Sequence, residues 1–244
     1  MNLKTCILTN NDCYKTKKTI VPVGVMIHST GANNPNLKRY VQPDDGILGK
    51  NTNKNDWNRP GVGKCVHAFI GKGADGNIYT YQTLPWNHRG WHAGGTANGT
   101  HISFEICEDA LTDKTYFDKV YKEAVELTAM LCAKFGIDPK ADGAVICHKE
   151  GGDRGVASNH GDVLHWFPKF GKTMDDFRED VKKEMEPKNT TPVYNTVDEV
   201  PEWGRPTIKK LVEKGLLLGD EKGLNLSYDL LRVLVILDRT GAFE

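Results

Sequence analysis

Apolar and polar positions follow two different periods along the chain. In the first half the apolar runs are short and β-rich. The run "TIVPVGVMIH" ends at His28 and reads as a strand with that histidine at its C-terminal end. "CVHAFIG" and "NIYTYQT" flank the turn sequence "KGADG" and predict a hairpin. "HISFEICE" predicts a further strand. Residues 31–63, rich in Asn, Pro, Asp and Gly, form a long loop of the kind that tends to carry function. From Phe117 the period changes. Phe117, Val120, Tyr121, Ala124, Leu127, Thr128, Leu131 and Phe135 recur at three- and four-residue spacing, and Gly136 stops the pattern as a C-terminal helix glycine does. "AVICH" predicts a short strand feeding His148. Thr173 with Asp176 caps a second helix that carries Met174, Phe177 and Val181 on one face, and Pro187 ends it.

The period then lapses. Residues 187–197, "PKNTTPVYNTV", are polar with two prolines and read as a linker. Beyond them Ile208, Leu211, Val212 and Leu216 mark one helix face. Ser227 caps another helix, which holds Leu230, Leu231, Leu234, Ile236 and Leu237. The expected organisation is a domain over 1–186, a linker over 187–197 and a small all-α domain over 198–244. A unit of ~45 residues is near the lower limit of independent stability, so it is expected to dock on the first domain or on a second copy.

Composition narrows the class. The chain has 244 residues, with 32 basic and 32 acidic side chains. That balance gives no support for nucleic-acid binding, which usually shows a basic excess or stripe. No apolar window approaches the ~18 residues of a membrane helix, and the N-terminus has no apolar signal-peptide core, so a protein made and held in the cytoplasm until released is expected. The six cysteines form no CxxC and are expected to be reduced and mostly buried.

The candidate chemistry lies in the histidines. "CHKEGGDRGVASNHGDVLHW", Cys147–Trp166, holds three of the chain's eight. A catalytic zinc site takes three protein ligands and keeps an open position. His28 and His148 each end a predicted strand, so such a site must be assembled from distant segments. Cys147 is set aside, because strand neighbours point to opposite faces. Glu150 sits on a loop flank. His160, Asp162 and His165 remain as third-ligand candidates, and spacing does not choose among them. Lone histidines are more often structural: His67 reads as a half-buried strand residue, and His88 and His101 as surface or loop residues.

Taken together, "MIHST", "WHAGG", "ISFEICE" and "ICHKE…SNHGDVLHW" resemble the zinc-dependent N-acetylmuramoyl-L-alanine amidases of the amidase-2 family. That family shares its fold with T7-type lysozyme and the peptidoglycan recognition proteins. The resemblance covers about residues 18–186 and is nearest to clostridial phage and prophage endolysins. It implies an α/β fold, a central mixed β-sheet flanked by helices with a zinc site in a surface groove. It implies Zn2+ held by His28, His148 and Asp162, with Val163 replacing the usual proline after the third ligand. Glu105 matches the family glutamate that faces the zinc water. His160 stands where many members place a lysine that stabilises the oxyanion. His92 and Trp91 of the "GWHAGG" motif are implied substrate contacts, and Trp86 and Trp57 are further candidates for lining the groove, although buried tryptophans are commoner.

The implied function is that of an endolysin cutting the amide between N-acetylmuramic acid and L-alanine in bacterial peptidoglycan. Residues 198–241 are similar to a single surface-layer-homology-type motif. That likeness implies cell-wall polymer binding, with self-association through the unit as one consequence of a single copy; the plain alternative is a helical hairpin packed on the first domain. Two other functions share the features: a non-catalytic peptidoglycan-binding module of the same fold, and a zinc peptidase of the stem peptide. The presence of three ligand candidates and Glu105 favours the amidase.

Overall fold

The short apolar runs of the first half pair into one sheet, and the helical periods cover it. The structure, a computed structural model, describes residues 1–187 and 191–244. The chain divides into two compact units, Met1–Glu186 and Pro187–Glu244. In the first, the elements are β1 (Leu3–Thr5), α1 (Asp12–Lys15), β2 (Gly24–Ser29), β3 (Ala68–Lys72), β4 (Ile78–Gln82), β5 (His101–Ile106), α2 (Lys114–Phe135), β6 (Val145–Cys147), α3 (His148–Asp153) and α4 (Met174–Met185). The sheet order is β1-β4-β3-β5-β2-β6. Only the β3–β4 hairpin is antiparallel, so the sheet is mixed with a parallel centre.

Side chains alternate across a strand, and here the two faces have different tasks. Val25 and Ile27 of β2, Ile102 and Phe104 of β5, and Val145 and Cys147 of β6 bury against one helical layer. That layer is α2, through Phe117, Val120, Ala124, Leu127 and Leu131, and α4, through Met174, Phe177 and Val181. Both helices are well ended. The Asp113 side chain accepts from the Tyr116 N–H to cap α2, and Gly136 closes it at φ 66°. Thr173 and Asp176 form a reciprocal capping box on α4. The opposite face carries Met26 and His28 on β2 and Ser103 and Glu105 on β5. Helix α3 packs there, and Gly151 allows the approach, since a Cβ would come 2.7 Å from the Met26 methyl carbon.

The second unit differs from the all-α expectation. It contains β7 (Val193–Tyr194), α5 (Arg205–Glu213), β8 (Leu226–Ser227) and α6 (Tyr228–Arg239). Strands β7 and β8 pair antiparallel, Val193 with Ser227 and Tyr194 with Leu226. Further backbone bonds extend the pairing, Leu224 N–H to Asn195 O at 2.8 Å and Tyr228 N–H to Pro192 O at 2.9 Å. The physical reason is closure. Leu226 is fully buried with Val200, Ile208, Leu211, Leu231 and Val235, and Tyr194 packs against that cluster. The β7 segment falls inside the expected linker 187–197, whose residues 188–190 lie outside the described residues. On α6 the buried positions are Leu231 and Val235, while Leu230, Ile236 and Leu237 are exposed.

This small core is sensitive to truncation. Replacing Leu231 by alanine is expected to cost about 2–5 kcal/mol, which is on the order of the whole stability of so small a unit. Hydrogen exchange should show protection lost across α5 and α6 and retained in α2. Unchanged protection in α6 would contradict the packing.

Candidate metal centre

The geometry of the centre follows from register. In the parallel β2–β5 pair, His28 lies directly beside Glu105, so both side chains rise from the same face. Strand β6 on the other side of β2 ends at Cys147, whose side chain joins the main core. The next residue, His148, opens α3 and faces the opposite way. The chain then loops through residues 154–161 and returns. The Lys149 N–H donates to the Asp162 carbonyl at 2.9 Å, which anchors Asp162 beside the start of α3. Val163, at the position of the expected proline, is buried in the main core, and the bond before it is cis.

Three donor atoms converge. His28 Nδ1 lies 3.0 Å from His148 Nδ1 and 3.2 Å from Asp162 Oδ2. His148 Nδ1 lies 3.6 Å from the same carboxylate oxygen. Four donors around a zinc-sized ion at ~2.0–2.1 Å would be separated by ~3.3 Å, the edge of the tetrahedron. The three separations bracket that value, so the residues fit a small divalent cation. Two imidazoles and one carboxylate are also a donor set such ions take. Among the described residues this is the group suited to bind a metal ion.

The electrostatics agree. Burial pushes the His28 imidazole pKa down; Asp162 opposes this, while His148 and His160 add to it. A lowered pKa favours the neutral imidazole that a metal ligand must be. Burial pushes the Asp162 carboxyl up, but His148 and His28 outweigh it and hold it well below the usual carboxylate range.

The centre opens into a cavity of about 480 Å³ whose walls include Glu105, His92, Ser158, His160, His165 and Lys64. Glu105 Oε2 is buried with no hydrogen-bond partner among the described residues. Burial pushes its carboxyl well above the ordinary value; the charges of Asp162 and Glu108 add to this and Lys64 opposes it. A raised pKa means the folded protein binds the proton more tightly than the unfolded chain. Its stabilising effect is complete below the unfolded value of ~4.3 and is lost as pH rises through the folded value. Without metal, Glu105→Gln is therefore expected to raise the melting temperature at pH 7 and leave it nearly unchanged at pH 4. Thermal melts in chelator at the two pH values check this; a loss at pH 7 would contradict it.

The other expected site residues are distributed as follows. His160 is exposed, its ring centroid 4.5 Å from that of His148. Its Nδ1 lies 3.0 Å from Ser158 Oγ, which also meets His148 Nε2 at 3.1 Å. The single hydroxyl proton of Ser158 can go to His160 Nδ1 or to Ala93 O at 3.1 Å. Ala93 O also receives the Ser158 N–H at 2.7 Å, and donation of the hydroxyl proton to His160 Nδ1 would direct His160 Nε2–H outward. His92 Nδ1 lies 3.0 Å from His28 Nε2. Its pKa is pushed well down by burial and by His28, His67 and His101, against a small opposing effect of the His101 backbone. Trp91 is half-buried and packs on the apolar cluster around Phe69 and Tyr81, not on the cavity wall. Trp57 is buried in that cluster too.

His165 stands apart from the converging donors, its Nε2 2.9 Å from Glu108 Oε1. Glu150 is occupied by the Cys147 N–H and by Arg178, Nη2 to Oε1 at 3.0 Å. His88 and His101, expected at the surface or in loops, are buried, as is His67. Their rings satisfy backbone groups: His67 Nε2 donates to His88 O at 2.7 Å, and burial pushes its pKa down to about 4. His101 Nε2 meets Gly143 O at 3.0 Å. Ser158 and Lys64 line the cavity, and Glu108 holds His165 at its wall, without having been singled out in sequence. The first two are isolated polar residues in irregular segments. Glu108 ends the predicted strand "HISFEICE" but lies two residues past the end of β5, where alternation no longer says which way it points.

A parallel-centred sheet with a His–His–Asp cluster and a buried carboxyl at the strand ends defines a candidate metallohydrolase centre. Residues 18–163 match the family model for N-acetylmuramoyl-L-alanine amidase, and the chain belongs to that family. Solved structures share the fold. The Staphylococcus aureus hydrolase AmiA, solved with its ligand, is 17% identical with a TM-score of 0.51, over 75% of this chain and 82% of that one. PlyL is 20% identical with a TM-score of 0.50, over 74% and 96%. The PlyG catalytic domain is 19% identical with a TM-score of 0.51, over 79% and 100%. No curated protein sequence matches the chain.

Proposed function

We propose that this protein is a zinc-dependent amidase that hydrolyses the bond between N-acetylmuramic acid and L-alanine in bacterial peptidoglycan. The observation that carries the reading is the convergence of His28, His148 and Asp162 beside the carboxyl of Glu105, whose Oε2 meets no partner among the described residues, in one cavity. Bound there, Zn2+ would supply Lewis acidity and acidify water towards ~7, keeping one net positive charge with this donor set. Glu105 takes the proton of the attacking water and delivers it to the departing amine of L-alanine. Its raised proton affinity suits the second half of that task. His160 donates from Nε2 to the oxygen of the scissile carbonyl as charge develops there, an interaction often worth ~3 kcal/mol.

The amide reading is tested on purified cell walls. Digestion should release L-alanine amino termini with no new reducing sugars. Cleavage within the stem peptide would indicate the zinc peptidase instead, and wall binding without cleavage the non-catalytic module. The ligand set and Glu105 weigh against that last reading.

The second unit is proposed to target the enzyme to a cell-wall polymer, with self-association as an alternative use of its exposed apolar side chains. Wall sedimentation should fall for Leu231→Ala while cleavage of soluble muropeptides persists; undiminished sedimentation would remove the targeting role. An endolysin that awaits release through a membrane pore, of clostridial phage or prophage origin, is the biological setting the sequence resemblance supports. Among the described residues no helix is long and apolar enough to cross a membrane.

A further inference from the structure

The "WHAGG" segment has a position that its sequence does not explain. His92 N–H and Ala93 N–H both donate to Asn98 Oδ1, each at 2.8 Å, which pins the backbone of this turn. The next two residues are glycines for a steric reason. Gly94 has φ 65°, and a Cβ on it would lie 2.9 Å from Ser158 Oγ; a Cβ on Gly95 would collide with the Val156 carbonyl. The turn is therefore fitted closely to the 156–158 loop. From this pinned turn two groups reach outward. Ala93 O holds Ser158, which contacts His148 Nε2. His92 Nδ1 contacts His28 Nε2 at 3.0 Å. One turn thus stands behind both histidines of the centre, on the side away from the converging donors.

Proton bookkeeping gives His92 a definite part. For Nδ1 of His28 to offer a lone pair to a cation, its ring proton must sit on Nε2. That Nε2–H has His92 Nδ1 as its acceptor, so His92 must carry its own proton on Nε2. In the structure His92 Nε2 is buried and meets no acceptor in hydrogen-bonding geometry among the described residues. A buried donor left unpaired is costly, and the opposite tautomer of His92 would spare it only at the expense of the centre. It would turn Nδ1–H toward His28 Nε2, drive the His28 proton onto Nδ1 and close the lone pair that the centre needs.

We propose that His92 is a positioning residue: an outer hydrogen-bond acceptor that fixes His28 in the tautomer and ring orientation that leave Nδ1 free for the metal. This replaces substrate contact as its role and rests on the metal reading above. Outer partners of metal-bound histidines commonly control affinity by about 10–100-fold.

The test measures zinc affinity by competition with a chromophoric chelator, which needs no turnover. His92→Leu, which has no acceptor, is expected to weaken zinc binding by about 10–100-fold. His92→Asn, whose Oδ1 can accept in place of Nδ1, is expected to restore most of that loss. Nitrogen-15 spectra of the zinc-loaded wild-type imidazoles, which require no variant to fold, should show the proton on Nε2 of both His28 and His92. Wild-type zinc affinity in His92→Leu together with a raised KM would overturn the proposal in favour of substrate contact. A proton on Nδ1 of His92 in the zinc-loaded protein would overturn it as well. Absence of amidase activity in a protein that still shows these affinities would count against the proposed reaction, not against this role.

Discussion

Asp162→Ala is expected to abolish both metal retention and hydrolysis. Asp162 is the one anion among the three converging donors, and without it two neutral imidazoles face a doubly charged ion. Losing the ion removes charge stabilisation worth several kcal/mol, so activity should fall by ~10³-fold or more. The fold should survive. The carboxylate is held in place by His28 and His148 in the centre, not by the main core, and its loop stays tied by the Lys149 N–H to the residue 162 carbonyl. Metal analysis after gel filtration, alongside a far-ultraviolet spectrum, checks the prediction. The sharp alternative is His160→Ala losing the metal while Asp162→Ala keeps it, which would transfer the third-ligand role.

Glu105→Gln is expected to give the complementary result. Glu105 lies beside His28 in the β2–β5 register yet is not one of the converging donors. The variant should retain the metal at wild-type stoichiometry and lose ~10²–10⁴-fold in kcat, the range for removal of a general acid–base group. KM should change little if the carboxyl handles protons and does not grip the substrate. A variant that loses metal in proportion to activity would make Glu105 a ligand. One that keeps both metal and activity would make it a strand acid with no chemical role.

The two predictions separate what the sequence discloses from what only the fold assembles. The β3–β4 hairpin, α2 and α4 were legible because each is signalled locally, by a turn flanked by alternation or by a capped amphipathic period. His28 and His148 were legible because each ends an apolar run. Edge strand β1 was not: its three residues are exposed, so no alternation marks them. The β7–β8 pair was not, since two residues are too few to show a period and the pairing joins segments over thirty positions apart. On α6 the sequence "LLRVLVIL" is apolar on nearly every side. The period therefore could not tell the buried Leu231 and Val235 from the exposed Leu230 and Ile236.

The third ligand shows the limit most clearly. Spacing left His160, Asp162 and His165 equivalent, and only the family resemblance singled out Asp162. The fold separates them by the company each keeps: Asp162 points at two imidazoles, His165 at Glu108, and His160 at Ser158. The buried histidines 67, 88 and 101 illustrate the converse. Alternation in "CVHAF" suggests a half-buried His67, and His88 and His101 read as surface or loop residues, yet each is buried because backbone groups meet its ring nitrogens.

The central claim is that side chains from three distant segments hold one cation on which amide hydrolysis depends. Its most direct test is the metal content of the purified protein, measured together with amine release from cell walls before and after chelation. The account predicts about one equivalent of zinc, loss of amine release when it is removed, and recovery when zinc is returned. Wall digestion that continues undiminished in protein free of transition metal would contradict it.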